Sequence, residues 1–331
     1  MIINTSLCNP KASNEAKKLM EYLGSVYRKR ILTGQHTQTP EQKELWYIRE
    51  KTGKLPAICG FELLGYSPNV NYAESNEECL KEVYENQNTI ETALEWAEKY
   101  GGIVTYCWHW FSPMYGKHKS FYTEHTEFDI GKAMDEKAEE YAAIISDIDY
   151  IAEKLKIFRD KNIPILWRPL HEAEGGWFWW GAKGPEPCKK LWRLMYDRFT
   201  NFHGLNNLIW IWNSISLEWY PGDDCVDIMS CDHYSEPYDY NPLKEKFDKT
   251  NLPAAGNKMV AYTENGTIPH LEKAMEEEAH WLWFMTWSND FGCTEKWTTN
   301  DHLCYTYKSH IAVTLDDVKK DLVNIIQCDV I

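Results

Sequence analysis

Two glutamates carry the chemistry that this sequence offers. Glu172 sits in RPLHEAEGGWFWWG, residues 168–181, after a histidine and shortly before four consecutive aromatic residues; Glu264 sits in YTENG, residues 262–266. Retaining cleavage of a glycosidic bond needs two carboxyls about 5–5.5 Å apart, one protonated to donate to the departing oxygen and one ionised to attack the anomeric carbon. An apolar flank raises the pKa of a carboxyl, and the C–H faces of sugar rings stack on indole. Trp177, Phe178, Trp179 and Trp180 are therefore expected to shape sugar subsites and to help keep Glu172 protonated.

Such a pair must be positioned by rigid elements. The apolar runs Arg30–Leu32, Ala57–Phe61, Ile103–Trp108, Pro164–Arg168, Leu208–Trp212, Val226–Ser230, Met259–Tyr262 and Trp283–Thr286 read as buried strands. Between them, Glu77–Lys99 and Asp135–Lys161 carry helical periodicity; in the second, Tyr141, Ile144, Ile145, Ile148, Ile151, Ala152, Leu155 and Phe158 fall three and four apart. Strand and helix alternating around eight strands predicts an α/β fold, the (β/α)8 TIM barrel, whose active sites lie at the C-terminal strand ends. Polar or aromatic groups follow nearly every predicted strand: Gly34-Gln35-His36, Trp108-His109-Trp110, His171-Glu172, Asn213, Asp232-His233-Tyr234, Glu264-Asn265 and Trp287-Ser288. Strands four and seven would then present Glu172 and Glu264 across one mouth.

No repeat, low-complexity tract or long Pro/Gly/Ser linker divides the 331 residues, so a single domain over residues 1–331 is expected. The net charge of −15 provides no basic stripe for phosphates and no polybasic patch for an anionic membrane, which argues against nucleic acid and membrane partners. The start MIINTSLCNPK has neither a basic nor an apolar leader region, and no apolar run reaches membrane-spanning length. Ten cysteines without CxxC spacing read as buried thiols, and the 16 tryptophans, many beside polar residues, favour a ring-binding cleft; Trp192, at helical spacing, reads as core. There is no HxH, HEAEG lacks the second histidine of HExxH, and neither GxGxxG nor GxxxxGK[ST] occurs, so neither a metal nor another cofactor is expected.

RPLHEAEGGWFWWG, together with YTENG, DHY at 232–234 and TWSND at 286–290, resembles glycoside hydrolase family 26, best known for endo-β-1,4-mannanases; ILTGQH, PAICGFE, WHWFSP and FYTEHTEFD extend the resemblance over nearly the whole chain. The resemblance implies that Glu172 is the general acid/base and Glu264 the nucleophile. It further implies that His109, His171, Trp177, Tyr234 and Trp287 line the sugar site, with the Tyr234 hydroxyl on the nucleophile. Arg168 and Asp232 would orient the glutamates by charge-assisted hydrogen bonds. Two positions depart from the family pattern: Glu174 stands where Asn is common and Glu62 where Asp is expected. The first would raise the pKa of Glu172 or bind a substrate hydroxyl.

These readings converge on a retaining endo-β-1,4-mannanase acting on mannan, glucomannan or galactomannan. A mixed-linkage β-glucanase or β-1,3-xylanase on the same scaffold is the alternative, and a non-catalytic polysaccharide-binding protein is the rival of another class. The expected context is a secreted monomer, linked to carbohydrate-binding modules in a longer native chain, with a cytoplasmic location as the other option.

Overall fold

The structure is a computed structural model that describes residues 3–328. Its frame is a parallel barrel of β1 (Ile31–His36), β2 (Ile58–Glu62), β3 (Ile103–Cys107), β4 (Ile165–Arg168), β5 (Leu208–Asn213), β6 (Ile228–His233), β7 (Met259–Asn265) and β8 (Trp283–Thr286). Each strand pairs with the next, and β1 pairs with both β8 and β2, which closes the barrel. A two-residue strand, β9 (Ala312–Val313), pairs with the start of β1. All eight expected strands are present. Several run further than their apolar cores: β1 continues through Gly34-Gln35-His36 because these residues keep pairing with β8 and β2. Gly34 is needed there, since a Cβ would lie 2.5 Å from the Phe284 carbonyl oxygen.

The helical periodicity over 77–99 corresponds to three elements, Glu77–Glu85, Thr89–Glu95 and the π-helical turn Trp96–Tyr100. Asn86-Gln87-Asn88 breaks it. Asn88 adopts φ 58°, a left-handed conformation that asparagine tolerates, and the Glu85 carbonyl accepts from the Thr39 amide. The long helix spans Glu139–Asp160 rather than starting at 135, because the Asp135 carboxylate accepts from the Lys137 amide in a turn that competes with helix.

Successive strand residues alternate between two buried clusters, as the two-residue period of a strand requires. Leu32, Ile58, Leu166, Ile209, Ile211, Ile228, Ala261 and Trp283 fill the barrel, and Leu19, Met20 and Leu23 of the helix Asn14–Val26 join them. Cys59, Val104, Trp167, Trp210, Trp212, Val260 and Phe284 face the surrounding helices. Among the described residues no helix is long and apolar enough to cross a membrane.

Candidate active site

Continuing the inward alternation to the C-terminal strand ends changes its chemistry. Above the apolar layer the inward positions hold His36 on β1, Glu62 on β2, Cys107 on β3, Arg168 on β4, Asn213 on β5 and Asp232 on β6, a polar floor built at the top of an apolar barrel. Arg168 is fully enclosed, and its guanidinium donates to Asp232 at 2.7 Å and to Glu264 Oε1. A buried arginine at this depth is sustained by both carboxylates together.

Glu264 reaches this floor through a fault in the pairing of β7. Cys231 pairs with Tyr262, but the next pair is Asp232 with Glu264, so β7 carries one extra residue there. The same excess appears toward β8, where Tyr262 pairs with Phe284 and Asn265 with Thr286. Strict alternation from Ala261 would turn Thr263 inward and Glu264 outward. The bulge brings both to the inner side: Thr263 Oγ1 donates to Asp232 Oδ1 at 2.7 Å, and Glu264 meets Arg168. The Tyr234 hydroxyl donates to Glu264 Oε2 at 2.8 Å.

Glu172 lies in the turn after β4. Leu170 and Glu172 itself take left-handed conformations, φ 51° and 54°, a cost tolerated where the surroundings fix the turn. Asn213 fixes it: its side-chain oxygen accepts the Glu172 amide at 2.8 Å, and its NH2 donates to Asp232 Oδ1 at 2.9 Å. Carboxylate oxygens of Glu172, Asp232 and Glu264 all lie within 4.8 Å of one another. The two glutamates are held differently, however. Glu172 receives one side-chain donor, the Trp177 indole N–H at 3.0 Å, whereas Glu264 receives a guanidinium and a phenol. Burial and then the charges of Glu264 and Asp232 push the Glu172 carboxyl up to about 8. Burial and Asp232 also raise Glu264, to about 7, against the pull of Arg168, His109 and Tyr234. One proton shared by this pair rests on Glu172, which leaves a carboxylic acid facing a carboxylate.

Beside them His109, His171 and Glu62 form a chain. Glu62 Oε2 lies 2.6 Å from His109 Nδ1, and His109 Nε2 lies 3.2 Å from His171 Nε2. Trp287 flanks this group with its ring centroid 4.5 Å from His36 and 5.8 Å from His109. A hollow of about 250 Å³ opens beside His36, Glu62, Lys119 and Trp287, and another of about 160 Å³ beside Glu172, Glu174, Trp177 and Asn213. Glu172 thus borders the second hollow, while the first opens beside the Glu62–His109 chain and Trp287.

The residues expected from the sequence all gather here, but not all face the cleft. Trp177 and Tyr234 are 48% and 38% exposed, and Trp287 is partly exposed. Trp179 and Trp180 are fully buried and Phe178 nearly so, which corrects the expectation that the four aromatic residues shape subsites together. Phe178 packs on the rings of His109 and His171; the Trp179 indole donates to the Trp110 carbonyl at 2.6 Å and that of Trp180 to the His171 carbonyl at 2.9 Å. Their task is to hold the turn. Likewise ten tryptophans are fully buried, so most of the tryptophan content, Trp192 included, is core rather than ring-binding surface. His171 is also wholly enclosed, behind His109, and the side chains of Arg168 and Asp232 are 2% exposed, so these three back the site instead of lining it. Glu174 does not engage Glu172; it accepts from Ser214 Oγ at 2.6 Å and the Ile215 amide at 3.2 Å. Asn213, Thr263 and Glu62 were not singled out by the sequence as site residues. For Asn213 and Thr263 the only signal was a polar type at a strand end; Glu62 stood out only as a glutamate where the family pattern has aspartate.

This division has a measurable consequence. Trp179→Ala is expected to lower stability by about 3–5 kcal/mol, as loss of a buried indole does, while Trp177→Ala leaves the denaturation midpoint in place and raises KM on a polymeric substrate by about tenfold. Chemical denaturation and steady-state kinetics on both variants check it; a Trp179→Ala protein of unchanged midpoint would contradict the buried role.

Among the described residues three groups of potential metal ligands each hold their ligand atoms within 4.8 Å of one another: His36, Cys107 and Glu264; Glu62, Cys107 and His109; and Glu172, Asp232 and Glu264. In each, carboxylate oxygens are already committed to Arg168, Tyr234, His109 or backbone amides, and a cation at the third would meet the Arg168 guanidinium on Asp232 and Glu264.

The comparisons agree with this architecture. The family model described as glycosyl hydrolase family 26 matches residues 8–317. A mannan endo-1,4-beta-mannosidase of Thermothelomyces thermophilus is 42% identical over 327 residues, 96% of this chain and 64% of that protein. Mannan endo-1,4-beta-mannosidase B of Piromyces sp is 35% identical over 97% of this chain and 55% of its own length, so the chain spans between half and two thirds of these relatives. Among solved structures, a GH26-CBM35 beta-(1,4)-mannanase of Podospora anserina aligns with TM-score 0.86 at 41% identity, covering 96% of this chain and 70% of that one. A beta-mannanase from a symbiotic protist of the termite Reticulitermes speratus, complexed with gluco-manno-oligosaccharide, aligns with TM-score 0.84 at 30% identity over 96% and 98%. With a family model matching over nearly its full length, the chain belongs to glycosyl hydrolase family 26.

Proposed function

We propose that the chain is a retaining endo-β-1,4-mannanase. The observation that carries this reading is the glutamate pair, with oxygens within 4.8 Å and opposite surroundings: Glu264 between a guanidinium and a phenol, Glu172 with the Trp177 indole as its side-chain donor and facing the charges of Glu264 and Asp232. In the first step Glu264 attacks the anomeric carbon while Glu172 gives its proton to the departing oxygen. In the second, Glu172 takes a proton from water, which displaces the sugar from Glu264. Mannan as substrate is supported by the names of the relatives, and Trp177, Tyr234, His109 and Trp287 would contact the sugar. A secreted monomer acting as one catalytic unit, joined in a longer native chain to a binding module, fits an extracellular polymer and the CBM35 that accompanies the catalytic domain of the Podospora mannanase.

The deciding experiment is reducing-sugar release from linear mannan, glucomannan, galactomannan, mixed-linkage β-glucan and β-1,3-xylan. Cleavage of the mannans alone supports the reading; cleavage of glucan or xylan alone replaces the substrate, and no cleavage favours a binding protein. The active form needs Glu264 ionised and Glu172 protonated, so kcat/KM should rise as pH passes about 7 and fall as it passes about 8. Rates measured from about pH 4 to about pH 10 check this, and full activity at the acid end would contradict the raised pair.

A further inference from the structure

Glu62 is buried at the end of β2, yet it accepts five hydrogen bonds. Its Oε1 takes the backbone amides of Leu63 at 2.8 Å, Leu64 at 3.1 Å and His109 at 2.7 Å. Its Oε2 takes His109 Nδ1–H at 2.6 Å and the Cys107 thiol at 2.9 Å. Every neighbour is a donor, so the group is a carboxylate. His171 lies under the positive charge of Arg168, buried, and stays neutral. The Glu62 carboxylate 2.6 Å from Nδ1 holds His109 protonated, so His109 Nε2 donates across the 3.2 Å contact and His171 Nε2 accepts.

We propose that Glu62 is a positioning residue for the reaction assigned above: by gripping both the amide and the ring of His109, it fixes a positive charge beside Glu264 and Glu172. The inference rests on the glycosidase reading. The groups facing His109 are Glu62 and Cys107 beside it, His36 from β1, Glu82 from the helix Glu77–Glu85, His171 and Glu172 from the turn after β4, and Glu264 from β7. Burial pulls the imidazole pKa down, but Glu62, with smaller help from Glu264 and Glu82, outweighs it and lifts the group to about 9. His109 in turn lowers the pKa of both Glu172 and Glu264. The Oε1 clamp explains why Glu62 can hold the ring without moving: the carboxylate is anchored to the backbone at both strand ends it joins.

The test is Glu62→Gln, which keeps the volume and removes the charge. His109 then loses its proton near neutrality, the nearby positive charge disappears, and both limbs of the kcat/KM profile move to higher pH by about one unit. On the acid side the rate falls about tenfold, one unit being a factor of ten in the ionised fraction. Glu62→Asp, which keeps the charge, should leave the limbs in place even where kcat drops, and His109→Gln should move them as Glu62→Gln does. Nitrogen-15 NMR of the histidine rings gives a readout independent of turnover: His109 should carry both ring protons at about pH 8 in the unaltered protein and one in Glu62→Gln. Limbs unmoved in a folded Glu62→Gln protein, or a singly protonated His109 in the unaltered protein, overturn the proposal. An unaltered protein that cleaves no glycan, with His109 doubly protonated, sinks the functional reading instead and the positioning role with it.

Discussion

Glu264→Ala is expected to lower kcat on mannan by about 10⁴-fold or more, because loss of a nucleophile leaves only the binding and electrostatic contributions of the site. No neighbour can replace it: Asp232 is tied to Arg168, Asn213 and Thr263, and Glu172 is the proton donor in the proposed reaction. The variant also strips Arg168 and Tyr234 of a shared partner, so its unfolding midpoint must be compared with that of Glu264→Gln, which keeps the shape. A direct measurement needs no variant. An activated 2-fluoro-mannoside should form a long-lived glycosyl-enzyme, and peptide mass spectrometry should find the label on Glu264. Label on another residue, or substantial turnover by a folded Glu264→Ala protein, removes it as nucleophile.

Glu172→Ala is the second large effect and has a different pattern. On mannan the departing sugar oxygen needs a proton, and loss of the acid should reduce kcat by about 10²–10⁴-fold. A dinitrophenyl mannoside has a leaving group that needs no proton, so its first step should be largely spared and the glycosyl-enzyme should accumulate. Azide, which needs no base to attack, should restore turnover and give the β-azide, the product of two inversions at one carbon. Equal losses on both substrates, with no rescue, would remove Glu172 as the acid.

Both proposed roles depend on a difference in environment between chemically identical side chains. The Trp177 indole is the one side-chain donor on Glu172 among the described residues, while Glu264 holds the guanidinium and the phenol. The same arrangement makes Arg168 a structural and electrostatic centre, since Glu264 and Asp232 are buried against its guanidinium.

The barrel was legible in the chain because its signal is local. Eight apolar runs spaced by helix-length segments admit few closed solutions, and the polar residues at their C-terminal ends, with the glutamates at four and seven, followed from that register. Strand and helix ends were less legible where asparagine or aspartate side chains compete with the backbone, as at Asn86-Gln87-Asn88 and Asp135. What the chain alone could not decide was which side a residue faces once the pairing slips. Glu264 points into the mouth because β7 carries one extra residue against both neighbours, a property of three strands together. Nor does an aromatic run state whether it meets water: Trp177 is half exposed while Trp179 and Trp180, two and three residues on, are sealed by Trp110, Phe128 and His171. Glu62 reads as an ordinary strand-end carboxylate until β3 delivers Cys107 and His109 to its two oxygens. Sequence sets the period and the residue types, whereas burial and charge state are set by side chains that arrive from elsewhere in the chain, and it is those that separate the proposed acid from the proposed nucleophile.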